Sequence, residues 1–198
     1  MCRRSACSPA RPWWRAPACS CSGTKAPGRR SQLKQRSETM DVTKLRRVVT
    51  GHDAQGKAKV LIDETVTNAA ETRRGAIATV IWSSEGFPVD NDGSDDPSDK
   101  KIGTTIPGGT VFRVVSFGPG VAPRNHRTDS IDYAVVMAGE IDMVLDDETV
   151  RLKAGDVMVQ RGTVHNWINN GSEPCVIAFT LVSAKPVSAG GKTLNAQG

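Results

Sequence analysis

From Gly109 onward the chain alternates short apolar runs with turn-forming clusters. The runs are TVFRVVSF, DYAVVMAG, EIDMVLD, ETVRLK, DVMVQ, HNWIN and CVIAFTLV. Between them stand Gly-Pro-Gly, Ala-Gly-Glu, Asp-Asp-Glu, Ala-Gly, Arg-Gly-Thr and Asn-Asn-Gly. Runs of about five residues, recurring at intervals of about ten, predict antiparallel strands in a sandwich or barrel. Upstream, LRRVVTG and AKVLIDE flank the turn-rich GHDAQGK, a hairpin signal around Gly51 and Gly56, and AIATVIW (76–82) reads as a further buried strand. The segment GFPVDNDGSDDPSDKKIG is dense in Asp, Gly, Pro and Ser and predicts a long exposed loop. The pattern offers helix only as a turn or two near TNAAETRR. The chain therefore reads as all-β.

Before residue 40 the pattern stops. Residues 1–39 hold prolines at 9, 12, 17 and 27 and no apolar period, so they predict a disordered extension. They lack the apolar centre of a secretory signal. Their Arg and Ser content resembles a mitochondrial presequence, but the prolines break the helix such a presequence needs. A cytoplasmic location is the expectation.

Charge changes the picture once it is divided. The net charge of +5 comes from residues 1–39, where nine Lys and Arg face one acid, Glu38; residues 40–198 carry 17 basic and 20 acidic residues. The body has no basic patch interleaved with aromatics, so nucleic acid is not an expected partner. No apolar run approaches the roughly 20 residues of a membrane helix, so neither is a membrane. Four of the five cysteines (Cys2, Cys7, Cys19, Cys21) lie in the extension, leaving Cys175 alone in the body and excluding a disulfide framework there.

Candidate chemistry gathers around the histidines. The chain has three: His52, in the polar turn TGHDAQGK and read as a surface residue, His126 and His165. Strand alternation places His165, Trp167 and Asn169 on one face, and Asp132, Ala134 and Val136 on another. A small barrel with those faces inward brings His126, Asp132 and His165 together. Two neutral imidazoles and a carboxylate suit a divalent metal with open positions. Trp167 is expected to line the cavity. Tyr133 is expected outside the barrel, Asp129 in a solvated turn, and Arg113 and Arg124 on the solvated surface.

The spacing around these residues resembles the cupin family. Gly120 is followed after five residues by His126, and Asp132 after six by Gly139; downstream, Gly162 precedes His165 by two residues and Asn169 follows after three more. The resemblance implies a small antiparallel jelly-roll β-barrel, a single domain with a disordered extension at residues 1–39. Within it, residues 40–108 form the N-terminal strands and acidic loop, residues 109–184 the barrel core and residues 185–198 a flexible tail. It extends to small single-domain cupins of bacteria and fungi, including cupin-domain oxidoreductases of fungal pathways to aromatic aldehydes.

Three departures from the family pattern bear on function. Thr128 stands where the second histidine of the first motif belongs, Asp132 replaces glutamate, and Gln160 or Arg161 replaces the proline of the second motif. Thr128 and Gln160 are expected to line the pocket. The family implies a metal-dependent oxidoreductase or a Lewis-acid enzyme acting on an aromatic or polyketide-type molecule, with Fe(II) favoured over Zn, Mn or Ni, ligated by His126, Asp132 and His165. The competing expectation is a metal-free cupin that binds a small ligand. A homodimer is expected, with the strands of residues 45–62 covering an exposed edge.

Overall fold

The computed structural model describes residues 40–93 and 95–198. The expected disordered extension, residues 1–39, lies outside the described residues. Thirteen strands follow one another in the described chain. They are β1 (Arg46–His52), β2 (Ala58–Thr65), β3 (Ala70–Arg73), β4 (Ala76–Glu85), β5 (Gly109–Phe117), β6 (Ser130–Ala138), β7 (Glu140–Val144), β8 (Thr149–Lys153), β9 (Val157–Arg161), β10 (Asn166–Ile168), β11 (Cys175–Ser183), β12 (Val187–Ala189) and β13 (Lys192–Leu194). Among the described residues, regular helix is confined to two 3₁₀ turns, Val42–Lys44 and Pro97–Asp99, and no helix is long and apolar enough to cross a membrane.

Two antiparallel sheets make the barrel. One has six strands in the order β3-β4-β5-β11-β6-β9, the other three in the order β10-β7-β8. Their inward faces meet in one core that joins Val111, Phe117, Ala134, Val136, Ile177 and Phe179 of the large sheet to Ile141, Met143, Leu152 and Trp167 of the small one. Fully burying each such aliphatic or aromatic side chain contributes about 1.5–3 kcal/mol, so this core carries most of the fold's stability. The alternation in β6 is complete: Ser130, Asp132, Ala134 and Val136 are buried while Tyr133, Val135 and Met137 point out. Between β6 and β7 the chain turns at Gly139, whose φ of 72° favours glycine. A Cβ at that position would stand 2.4 Å from the Pro174 carbonyl oxygen.

The outer face of the large sheet is partly covered. Met40, Val42 and Leu45 pack on Val114, Val176, Ile77 and Ile81, and Thr79 donates to the Val42 carbonyl at 3.1 Å. The β1–β2 hairpin forms as its sequence predicts, but it pairs as a sheet of its own and does not extend the edge strands β3 or β9. It is tied down by Arg47, whose guanidinium binds Glu64 of β2 and Asp96 of the acidic loop. Arg47 is 4% exposed. The acidic loop is therefore anchored: Pro97 and Ser98 are buried, and Asn68 donates to the carbonyls of Val80 and Ser98.

Two local expectations are corrected. The segment read as a helical turn holds strand β3, because Ala70–Arg73 pair with β4 across the turn at Gly75, where Glu71 accepts from the Gly75 amide at 3.0 Å. A neighbouring strand with open hydrogen-bonding groups outweighs a weak local preference for helix. Residues 185–198, expected as a flexible tail, form the β12–β13 hairpin. The chain then pairs through Gln197 with Arg127.

Candidate functional site

The site is assembled by a pair of backbone hydrogen bonds. His126 ends the irregular segment after β5, and His165 sits just before β10. The His126 amide donates to the His165 carbonyl at 3.0 Å, and the His165 amide returns a bond of 2.9 Å to His126. This reciprocal pairing holds the ring centroids 4.2 Å apart. Both rings are buried, at 7% and 3% exposure.

The tautomer of each ring follows from its partner. Nδ1 of His126 lies 3.1 Å from the Arg124 carbonyl, and Nδ1 of His165 lies 3.1 Å from the Thr163 carbonyl. A carbonyl oxygen can only accept, so each Nδ1 carries the proton and each Nε2 keeps its lone pair. Burial, the neighbouring imidazole and the nearby arginines push His165 down to about 4. Burial is also the main cause that lowers His126. Both imidazoles are thus neutral at neutral pH. Gln160, buried on β9, packs its side-chain amide against the same Nδ1; a protonated Nδ1 is matched there only by the amide oxygen, so the amide turned to present the Oε1 that otherwise lacks a partner accepts from the ring as well.

Asp132 stands on the inward face of β6 at 4% exposure. Ser130 Oγ donates to its Oδ1 at 2.5 Å and lies 2.8 Å from Thr128 Oγ1. Burial raises the Asp132 carboxyl, opposed by the Ser130 hydrogen bond and the charge of Arg113. Trp167 is buried, stacks on Phe117 at 5.7 Å and meets His165 edge-on at 5.8 Å. All six residues picked out from the sequence (His126, Thr128, Asp132, Gln160, His165 and Trp167) line one cavity of about 360 Å³. Such a volume suits a small molecule.

The cavity brings the three candidate ligands to one space without making a ligand triad of them. Two Nε2 atoms have the donor chemistry for a divalent ion. Among the described residues, however, no group of three or more His, Cys, Asp and Glu side chains is placed to hold a metal. The residues as arranged therefore do not fit a three-ligand metal site. Asp129 is no substitute, but it is also not the solvated turn residue expected: its Oδ1 is buried without a partner.

The sequence reading missed the arginines. Arg113 and Arg124, expected on the solvated surface, line this cavity together with Arg73. For Arg113 the signal was present in the alternation. It shares the inward face of β5 with Val111, Val115 and Phe117. For Arg73 there was no signal, because its segment read as helix. His52 is exposed at the end of β1 and takes no part in this cavity.

A family model described as the cupin domain matches residues 113–182. The cupin-domain-containing oxidoreductase fogC of Aspergillus ruber is 35% identical over 157 residues, covering 75% of this chain and 77% of that protein. The cupin-domain-containing oxidoreductase virC of Hypocrea virens is 34% identical, covering 71% and 77%. The phomopsin biosynthesis cluster protein C' of Diaporthe leptostromiformis is 49% identical over 94 residues, which span 46% of this chain and 50% of that one. Among solved structures, KdgF from Halomonas sp. aligns over 58% of this chain and 84% of its own, with 16% identity and a TM-score of 0.40.

Proposed function

The chain belongs to the cupin family, and on that premise we propose that it is an oxidoreductase-type enzyme of secondary metabolism, acting on an aromatic or polyketide-type molecule in the His126–His165 cavity. One observation carries the reading. Two buried imidazoles share a cavity with aromatic walls, each with Nδ1 held by a carbonyl and Nε2 left free to act. The relatives named as oxidoreductases support the reaction class, and the biosynthesis-cluster relatives support the metabolic setting.

The chain's own residues supply proton handling and shape. The free Nε2 atoms are bases that accept a proton from a bound molecule. The Ser130 hydroxyl fixes the Asp132 carboxyl, which burial makes the more ready to carry a proton. Trp167, Phe117 and Phe179 give the cavity an aromatic wall. His126 and His165 are the nitrogen ligands we propose for a divalent ion, Fe(II) by the family resemblance. Such an ion, when bound, supplies Lewis acidity or reactivity toward dioxygen.

A competing reading, a metal-free cupin that binds a small ligand without turnover, is favoured by Thr128. At the place of a family histidine it instead joins a hydroxyl chain to Asp132. The two readings separate in one assay. The full chain is supplied with dioxygen and a panel of aromatic alcohols, aldehydes and acids, and products are followed by mass spectrometry. The enzyme reading expects turnover that His126→Ala and His165→Ala abolish. No turnover across the panel counts for the binding module, and turnover indifferent to both substitutions removes the histidine pair as the seat of the reaction.

A further inference from the structure

The arginines of the cavity are not used by the reading above. Arg73, Arg113 and Arg124 line it, and Asp132 is the one carboxylate among its lining residues. Three guanidinium-bearing side chains thus share the cavity with one carboxyl, and that carboxyl is engaged by Ser130. Among the described residues none of the three arginines forms a salt bridge. The ion pairs found involve Lys44, Arg46, Arg47, Lys100 and Arg151 instead.

The partners of Arg73 and Arg113 are neutral and incomplete. Arg73 Nε donates to the Ala122 carbonyl at 2.8 Å, and its guanidinium lies over the Phe117 ring at 5.7 Å. Its Nη2 is buried with no partner, as is Nε of Arg113. Arg113 gives its Nη2 to the carbonyls of Gly103 and Thr104, while Arg124 gives its own to an oxygen of Gly198, the last residue of the sequence. Burial, and after it the charge of Arg124, lowers both Arg73 and Arg113 from their ordinary value. Cations gathered in a partly dry space without counter-ions are costly, and unpaired buried donors add to the cost. A bound anion removes both penalties.

We propose that the cavity takes a planar organic carboxylate, its oxygens held by Arg73, Arg113 and Arg124 and its ring by Phe117, Trp167 and Phe179. This rests on the cavity being the substrate site. The planar fork of arginine matches a carboxylate through paired hydrogen bonds, which distinguishes it from a point charge. The aromatic walls match a flat ring: Phe117 stacks on Trp167, and Phe179 stands edge-on to both. Phosphate offers the same charge but leaves these walls unused.

Calorimetric titration of the full chain with two acid–amide pairs, benzoate against benzamide and 2-naphthoate against 2-naphthamide, tests the proposal. Each acid is expected to bind about tenfold to a hundredfold tighter than its amide, the range set by one or two charge-assisted hydrogen bonds. Arg124→Gln and Arg73→Gln are each expected to remove most of that preference by weakening the acid far more than the amide. Arg113 is avoided because it also holds the loop at Gly103 and Thr104. Equal binding of acid and amide, no binding of any of the four, or a preference that survives both substitutions overturns the proposal. A parent protein without the preference, its His126-dependent turnover intact, sinks the carboxylate alone. A preserved preference, with turnover indifferent to His126 and His165, sinks the enzyme reading alone.

Discussion

His126 and His165 exchange both of their backbone hydrogen bonds, at 3.0 and 2.9 Å, although they lie in segments separated by β6 to β9. The backbone, through this bridge, sets where the rings stand, and the carbonyls of Arg124 and Thr163 set their tautomers. A site built this way does not need a bound group to hold its imidazoles in place.

The burial of His165 makes stability depend on pH. Its folded value of about 4 lies below the ordinary 6.5, so the unfolded chain binds the proton more readily. Its neutral form supports the fold fully above pH 6.5, and that support is lost as pH falls from 6.5 toward 4. The loss reaches at most about 3 kcal/mol, the free-energy equivalent of the shift. Urea denaturation at pH 7, 5.5 and 4 is expected to show it, and to show a shallower fall for His165→Gln. Parallel pH curves for the two proteins count against the assignment.

Metal content discriminates the two expectations for the site. Elemental analysis of protein purified without a His tag is expected to show a divalent metal, at least halved in His126→Ala and His165→Ala. It is expected to rise in Thr128→His, since Thr128 lines the same cavity and an added imidazole supplies the missing third ligand. His52→Ala is expected to change nothing. If both alanine variants keep the parent's metal content, the ion sits elsewhere.

Arg47 is expected to hold the acidic loop to the barrel. Arg47→Ala removes the buried guanidinium that pairs Glu64 with Asp96, at a cost of about 2–4 kcal/mol. The loop around Pro97 should then be cut faster by proteases than in the parent. Thermal melting and a proteolysis time course measure the two effects. A variant as stable and as resistant as the parent disproves the anchor.

A homodimer is proposed on the outer face of the large sheet. Tyr133, Val135 and Val159 are 50%, 46% and 56% exposed and lie beside one another on β6 and β9. The covering segment at Met40–Leu45 packs on β4, β5 and β11 and not there. A contiguous apolar surface of this kind is usual at interfaces. Light scattering at micromolar concentration is expected to return the dimer mass, and Val135→Glu with Val159→Glu to return the monomer. A monomeric parent rejects the proposal.

The strands were legible in the sequence because each repeats its inward and outward positions every second residue, and a turn signal closes it. Alternation alone placed Asp132 with Ala134 and Val136, and Tyr133 outside. The spacing of Gly120, His126, His165 and Asn169 carried the family. The alternation of β5 also placed Arg113 inward, but charge argued against that placement, and the argument from charge was the wrong one.

Other features were decided only by tertiary structure. β3 exists because β4 offers it an edge, which no local pattern contains. The last residues fold back as a hairpin because Arg124 and Arg127 donate to Gly198 and Gln197, 74 and 70 positions away. The cavity's charge belongs to the same class. Arg73, Arg113 and Arg124 lie on three separate segments of the chain, and nothing local to any one of them announces the other two. Only the closed barrel puts them in one space with a single carboxylate, because electrostatic surroundings depend on distance in space, whereas strand alternation depends on distance along the chain.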